Sequence, residues 1–194
     1  MRNTILTTAT LLLSGALSAQ GVFSNKTQSV LEKVIQDYPN HFYNIKGELV
    51  SQAHQTAEYR SILQLPGSPS CLVVKTAGVS GVASNEDYSW TCMVLEADSF
   101  EKVRERFHDI YGQLSNSIIS SGTQKTFILT GQYEEPDQDR KLTRVVFSLL
   151  PGVGDMKKLR VELSLRHDDK GYKILLSVND HNAQEMQGAV TASN

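Results

Sequence analysis

The two cysteines carry the clearest chemistry in the sequence. Cys71 and Cys92 each lie in a run rich in apolar and β-branched residues, which predicts a strand, and the segment 78–87 between the runs predicts a hairpin connection. With Cys71 opposite Cys92, directly opposed Cβ atoms would lie about 4.5–5.5 Å apart, a separation that a disulfide can bridge. The same register places Val73 opposite Trp90. We therefore predict a Cys71–Cys92 disulfide, with two free buried thiols or a catalytic cysteine as the alternatives.

Potential metal ligands are present in the sequence, but they are not spaced as ligands. The five histidines form neither a His-x-His pair nor the His-Glu-x-x-His pair of zinc enzymes. The acidic segment 134–139 lacks the glycine and the final glutamate of a calcium-binding EF-hand loop, so it is typical of a solvated turn. We expect no metal and no other cofactor. The histidines are His41, His54, His108, His167 and His181.

Catalytic and phosphate-binding motifs are also absent from the sequence. There is no Gly-x-Ser-x-Gly motif, which many serine hydrolases use to expose their nucleophile. Gly152 and Gly154 lack both the third glycine of a dinucleotide-binding loop and the Lys-Ser/Thr pair of a P-loop. We expect that the chain is not an enzyme, and a hydrolase of unfamiliar type stays as a less favoured alternative.

A group of basic residues is predicted to share one face of a β-hairpin. Residues 159–165 and 172–178 alternate between apolar and polar side chains, which is typical of antiparallel strands with one buried face. The polar face carries a stripe of basic residues that is interrupted by the acidic Glu162. Such a stripe is typical of a solvent-exposed face, and it could also bind an acidic partner protein. The stripe consists of Lys158, Arg160, Arg166 and Lys173. Tyr88 and Trp90 are candidate interface anchors because aromatic residues are common at binding hot spots, although their apolar surroundings favour core packing.

Two segments with helical spacing are predicted to position these strands. Residues 29–34 and 98–103 have similar sequences, and each begins with an N-capping residue followed three positions later by glutamate. Apolar residues then recur at helical spacing in both segments. In each half of the chain a strand-like run ends in Leu-Pro-Gly, at 65–67 and at 150–152, where proline and glycine start a turn. The second half has extra residues at 115–125, which we expect to form a linker.

This repeat predicts an α+β fold of two tandem units, each with one helix and about four antiparallel strands, and with the helices packed on one face of the sheet. The predicted units are residues 20–98 and 99–181, followed by a disordered tail at 182–194. Whether the strands form one sheet or two is left open. The element order of residues 29–180 resembles the fold of secreted beta-lactamase inhibitors. That resemblance implies a sheet surface that binds a protein partner, and it carries over no site residue.

Residues 1–19 are typical of a secretory signal peptide. Arg2 is followed by a mostly apolar run at 5–17, and Ala19 is a small residue suited to cleavage. The apolar run is too short and too interrupted for a transmembrane helix. Position 20 is glutamine, where a bacterial lipoprotein would carry the cysteine that is acylated. We expect an exported protein, periplasmic or secreted, with no membrane span and no lipid anchor.

The overall charge argues against two classes of partner. The chain has 194 residues, and its 19 Lys+Arg residues against 21 Asp+Glu residues give a net charge of −2. This balance provides no electrostatic surface for nucleic acid or for an anionic membrane. Export, a helix-and-sheet scaffold and the lack of catalytic motifs together predict a protein that binds a protein or another envelope macromolecule. A carrier of a small ligand in the cell envelope is the alternative.

Overall fold

The described residues of the computed structural model, 19–77, 86–115, 117–121 and 125–180, form two α-helices and nine strands. The helices are α1 (Ala19–Asp37) and α2 (Phe100–Ser115), and short 3-10 helices cover Tyr38–Asn40, Tyr43–Ile45 and Gly154–Lys157. The strands are β1 (Lys46–Ala53), β2 (Thr56–Ser61), β3 (Ser70–Ala77), β4 (Glu86–Ala97), β5 (Ile118–Ser121), β6 (Lys125–Thr130), β7 (Leu142–Leu150), β8 (Leu159–Asp168) and β9 (Gly171–Asp180). The predicted signal peptide, except for Ala19, and the predicted tail lie outside the described residues.

All nine strands belong to one antiparallel sheet, in the order β1-β2-β3-β4-β9-β8-β7-β6-β5. Strands β4 and β9 pair in its middle, with Trp90 opposite Val178 and Met93 opposite Leu175. This pairing joins the strands of the two predicted tandem units, so the prediction of two helix-plus-four-strand units is wrong. In separate sheets β4 and β9 would each be an exposed edge, whereas their pairing satisfies the backbone hydrogen-bonding groups of both strands.

Two elements differ locally from their predictions. Strand β5 lies in the segment 115–125 that was expected to be a linker, and its Ile119 is buried opposite Phe127 of β6. Helix α1 begins at Ala19, so Ser29 lies inside the helix and not at its N-terminal cap. Helix α2 lies where the spacing predicted it, although its cap is Ser99, whose Oγ accepts the backbone N–H of Lys102 at 3.4 Å, and not Asp98 three positions before Glu101.

The hydrophobic core lies between the helices and one face of the sheet. Helix α1 buries Leu31, Val34 and Ile35, and α2 buries Phe100, Val103, Phe107, Ile110 and Leu114. The alternating apolar residues of β8 and β9 are buried, as the sequence predicted, and on β8 the intervening Glu162 and Ser164 are buried as well. The buried apolar residues are Leu159, Val161, Leu163, Leu165, Tyr172, Ile174, Leu176 and Val178. The buried apolar side chains of the described residues form one cluster. The α+β class is therefore confirmed, with a single core in place of two units.

The β3–β4 hairpin has the predicted register. Cys71 lies opposite Cys92 and Val73 lies opposite Trp90. The two cysteines form a disulfide, with their Cα atoms 3.9 Å apart, so the predicted disulfide is confirmed. Trp90 is fully buried, and its indole N–H donates a hydrogen bond to Ser61 Oγ at 2.9 Å. The hairpin thus links the first half of the sheet to the hydrophobic core, and β4 pairs with β9 on its other side.

Candidate functional site

The face of the sheet opposite both helices is the first candidate site, and we call it the open face. The residues that alternate with the buried ones on β8 and β9 lie on this face. Along these strands Glu162 is opposite Ser177, and Ser164 is opposite Leu175. Ser177 in turn lies opposite Thr91 of β4. The middle of the open face therefore combines the hydroxyl groups of Ser164 and Ser177 with the longer side chains of Glu162 and Leu175, and Ser164 and Glu162 are buried by their neighbours.

Three of the predicted basic residues share the open face. Arg160 and Arg166 lie on β8, and Arg166 is directly opposite Lys173 of β9. Arg144 joins them because it is opposite Ser164 on β7, whereas Lys158 lies at the end of a 3-10 helix before β8 begins. We call the resulting group the basic patch; it consists of Arg144, Arg160, Arg166 and Lys173.

The members of the basic patch differ in how they are paired. Lys173 Nζ lies 2.8 Å from Asp168 Oδ2 and 3.6 Å from Glu96 Oε1. The hydrogen bond from Lys173 lowers the pKa of the Asp168 carboxyl and raises the pKa of Lys173 itself.

The arginines of the basic patch are paired with carboxylates less closely than Lys173 is. Arg160 donates to the backbone carbonyls of Lys157 and Leu159 at 2.7 and 2.8 Å. Arg144 lies 3.9 Å from the largely buried carboxylate of Glu162. Arg166 is exposed, and it forms no ion pair with another residue in the described part of the chain. Arg166 and Arg144 therefore present the guanidinium groups best placed for an external carboxylate.

An apolar group lies on the same face, near the β5 edge of the sheet. Ile118 is opposite Ile128, and Ile128 is opposite Leu150, so the three side chains form a row across β5, β6 and β7. Their exposed fractions are 56%, 53% and 53%. We call them the apolar row. The apolar row was not predicted from the sequence, although the uninterrupted run Phe127-Ile128-Leu129 places apolar residues on both faces of β6 and could have revealed it.

The two aromatic candidates lie on the other side of the sheet. Trp90 is fully buried in the core, so it is unavailable to a partner. Tyr88 precedes it by two positions, lies opposite Lys75, and faces the same side at the end of the sheet. The predicted interface residues are thus divided: Arg166 and Lys173 are neighbours on the open face, Arg160 lies on the same face six residues away along β8, and Tyr88 and Trp90 lie on the other side.

Tyr88 instead lines a cavity of about 270 Å³ on the helix side of the sheet. Its walls come from the 3-10 helix after α1, the start of β4, the 3-10 helix before β8, and the end of β9. Tyr38 Oη donates to Asp180 Oδ2 at 3.1 Å, and the rings of His41 and Tyr88 lie 5.4 Å apart. The lining residues are Tyr38, Pro39, His41, Phe42, Glu86, Asp87, Tyr88, Asp155, Lys158 and Asp180.

Burial and negative charge shape the ionisation of this cavity. Burial, together with the charge and the hydrogen-bonding carboxylate of Asp180, raises the pKa of Tyr38 well above its usual range. Burial and the charge of Asp180 also raise the pKa of Asp87. The pKa of Tyr88 is raised by burial and by its hydrogen bond to Glu86. Burial is the largest cause of all three shifts, so these directions indicate a partly desolvated site.

Neither a metal-binding group of side chains nor a membrane-spanning helix occurs among the described residues. No three His, Cys, Asp or Glu side chains in that part of the chain lie close enough together to hold a metal ion. No helix among the described residues is long and apolar enough to cross a membrane. Comparison with known proteins found no matching family model, no matching curated protein and no matching solved structure. The resemblance to secreted beta-lactamase inhibitors therefore stays a prediction.

Proposed function

We propose that this chain is an exported, non-catalytic binding protein that takes an acidic partner protein on its open face. The observation that carries the proposal is the combination of the basic patch and the apolar row on the sheet face opposite both helices. Antiparallel sheets commonly leave one face exposed to water, so the exposure of this face does not by itself indicate a binding site. Three neighbouring isoleucine and leucine side chains, each about half exposed on that face, are not required by the fold.

The basic patch supplies the electrostatic part of the recognition. Arg166 and Arg144 present planar guanidinium groups that can bind carboxylates in a bidentate manner. Such charges mainly raise the association rate and select the partner, since rim ion pairs contribute little to affinity on their own. Arginine is also enriched at binding hot spots. An acidic protein surface is therefore the chemistry that fits this face.

The apolar row supplies surface to be buried on binding. Burial of apolar area is the main favourable contribution to protein association, and interfaces typically place it beside polar and charged groups. Ser148 of β7 lies opposite both Thr130 and Arg160, and it connects the row to Arg160, the member of the basic patch at that end of β8. A partner that covers both groups would therefore contact one continuous surface from β5 to β9.

Export is supported by the disulfide and by the character of residues 1–19. Disulfides persist in oxidising compartments and are rare in the cytosol of most organisms. The Cys71–Cys92 bond lies within a hairpin at the core of the sheet. An extracytoplasmic binding protein is consistent with both features.

Site-specific photo-crosslinking in the producing cells tests the proposal. A benzophenone amino acid replaces Ile128 or Ser177 on the open face, and Glu105 on the exposed side of α2 serves as the matched control. We expect the open-face positions to give one shared adduct with a protein of net negative charge, and the Glu105 position not to give it. Introducing Arg166→Glu should remove the adduct. Adducts formed from Glu105 alone, or an open-face adduct unaffected by Arg166→Glu, would contradict the proposal.

A further inference from the structure

The helix side of strands β1 and β2 is only partly covered by the rest of the described chain. Leu49 of β1 lies opposite Tyr59 of β2, and Tyr59 lies opposite the buried Val73 of β3, so the three side chains share the helix side of the sheet. Lys46 lies opposite the buried Ser61 and is on the same side. Leu49 is nevertheless 51% exposed, so this corner of the sheet presents apolar surface to the solvent.

Tyr43 adds an aromatic ring to this corner from the 3-10 helix before β1. His41 and Phe42 have φ angles of 54° and 57°, a left-handed conformation that residues other than glycine rarely adopt. The resulting turn buries Phe42 in the core and leaves Tyr43 70% exposed. The buried carboxylate of Asp37 accepts the backbone N–H of Asn44 at 3.0 Å and fixes the segment. The backbone therefore keeps the Tyr43 ring at the surface.

Lys46 lies between two aromatic rings and is not paired with a carboxylate. Its Nζ is 5.0 Å from the ring centroid of Tyr43 and 4.7 Å from that of Tyr59. Among the described residues, no carboxylate forms an ion pair with Lys46. The two cation–π contacts position the ammonium group without neutralising its charge. We call Tyr43, Lys46, Leu49 and Tyr59 together the tyrosine–lysine surface.

Charged groups on the neighbouring strands are paired with one another. On the helix side of β3 and β4, Lys75 Nζ lies 2.7 Å from Glu86 Oε1. The hydrogen bond from Lys75 is the largest cause of the lowered pKa of Glu86, and the charge of Lys46 is the smallest. Glu48 Oε1 lies 3.0 Å from Arg60 Nε, on the other face of β2. Lys46 therefore gives the tyrosine–lysine surface one positive charge that is open to an external anion.

Exposed aromatic rings beside a free ammonium group fit a sugar that carries a carboxylate. The C–H groups on one face of a sugar ring pack against the negative face of an aromatic ring, and the ammonium group binds the carboxylate. The surface is open, whereas free small ligands usually bind in concave pockets, so a polymer that contacts several side chains fits it better. Single-stranded nucleic acid fits less well, because its phosphates need several cations and this surface has one unpaired lysine.

We propose that the tyrosine–lysine surface binds an acidic polysaccharide built from hexuronic acid units. The rings of Tyr43 and Tyr59 and the side chain of Leu49 pack against the C–H faces of the sugars, and Lys46 Nζ pairs with a carboxylate. The surface lies on the helix side of the sheet. It therefore does not depend on the open face, and its failure would leave the proposed function untouched.

Titration of the full chain with defined oligosaccharides tests this inference. The probes are hexamers of galacturonic, glucuronic and mannuronic acid, their uncharged methyl esters, and a short strand of polydeoxythymidine. The readout is the NMR signals of the Tyr43 and Tyr59 rings. We expect saturable binding of at least one acid hexamer with a dissociation constant no weaker than about 1 mM. Its methyl ester should bind at least about threefold more weakly, and polydeoxythymidine should not bind saturably.

Variants of the charge and of the exposed ring locate the binding. Lys46→Met should weaken the affinity for the bound acid hexamer about three- to fivefold, whereas Lys46→Arg keeps the charge and should stay within about twofold. Tyr43→Leu should weaken it about two- to tenfold through loss of the aromatic face. Lys102→Met on the exposed side of α2 is the matched control and should leave the affinity unchanged. No saturable binding of any acid hexamer, equal binding of acid and ester, saturable binding of polydeoxythymidine, or affinity unaffected by both Lys46→Met and Tyr43→Leu would overturn the inference.

Discussion

Lys173 lies between two carboxylates on the open face, and it determines how Asp168 ionises. The Lys173 hydrogen bond is the largest cause of the lowered pKa of Asp168, the backbone N–H of Lys170 is the next, and the charge of Lys170 is the smallest. We predict that Lys173→Met raises the pKa of Asp168 towards its ordinary value. Lys170→Met keeps the backbone N–H and should change that pKa much less. Carboxyl carbon NMR titrations measure both, and equal shifts in the two variants would show that Lys173 is not the main cause.

The Lys173–Asp168 pair makes the free energy of unfolding depend on pH in the acidic range. Because the folded pKa of Asp168 lies below its unfolded value, the pair stabilises the protein above the unfolded pKa, and this contribution is lost as the pH falls through the folded pKa. In Lys173→Met that part of the pH dependence should disappear. Both side chains are partly or largely exposed, so the change in the free energy of unfolding should be small.

Ser61 and Trp90 form a buried hydrogen bond. Its loss should lower the free energy of unfolding more than loss of the Lys173–Asp168 pair does. The Trp90 indole N–H donates to Ser61 Oγ at 2.9 Å, and neither residue is exposed. Ser61→Ala leaves the indole N–H without its acceptor and also removes the hydrogen bonds between Ser61 Oγ and the backbone of Leu63, so we expect the free energy of unfolding to fall by about 1–3 kcal/mol in urea unfolding. Ser148→Ala on the open face should change it by less than about 0.5 kcal/mol. A Ser61→Ala effect as small as the control would contradict this role for the hydrogen bond.

At the scale of elements, helix α1 closes one edge of the sheet. Gln28, Glu32 and Gln36 are spaced by four positions, so their side chains lie on one side of the helix. The Gln28 and Gln36 amides donate to the backbone carbonyls of Ile118 and Ser120 at 2.8 and 2.7 Å. Glu32 Oε1 accepts the backbone N–H of Ser120 at 2.7 Å. Helix side chains thus take the place of a tenth strand beside β5.

Removing this edge cap should expose β5 to pairing with other chains. We predict that the triple variant Gln28→Ala, Glu32→Ala, Gln36→Ala exchanges the Ser120 amide proton faster and self-associates more strongly with rising concentration. Hydrogen exchange and sedimentation velocity measure the two effects. Lys33→Ala, on an exposed position of the same helix, is the control and should resemble the unmodified protein. Unchanged exchange at Ser120 in the triple variant would rule out the capping role.

These elements show which parts of the fold the sequence could predict. Alternation over 159–165 and 172–178 identified both strands and their buried faces, and opposed cysteines set the register of the β3–β4 hairpin. The short strand β5 gave too few residues for a periodic signal, and its outer edge is satisfied by a distant helix. Alternation also does not name a partner strand, so the β4–β9 pairing was not predicted and the internal repeat suggested separate units.

The candidate site was predicted only in part for the same reason. Arg160, Arg166 and Lys173 lie on one predicted hairpin, so their common face followed from period-two spacing. Arg144 and the apolar row join that face through strand pairings that are distant in sequence. The cavity around Tyr88 is built from four separate segments, and no local pattern brings them together.

At the scale of the whole molecule, a near-neutral net charge is compatible with positive charge on one face of the sheet. The net charge of −2 excludes a strongly charged chain, but it says nothing about where charges lie. The sheet places the four residues of the basic patch on the open face. Salt should therefore weaken binding of an acidic protein at that face.

The affinity of the open face for the crosslinked partner tests the central proposal most directly. Isothermal titration of the purified partner compares the unmodified chain with Arg166→Glu and with Lys102→Glu, which makes the same charge change on the exposed side of α2. Because the partner is proposed to bind the open face, we predict that Arg166→Glu raises the dissociation constant at least about tenfold. Lys102→Glu should leave it within about twofold. Equal losses of affinity in the two variants, or no loss of affinity in Arg166→Glu, would contradict binding of the partner at the open face.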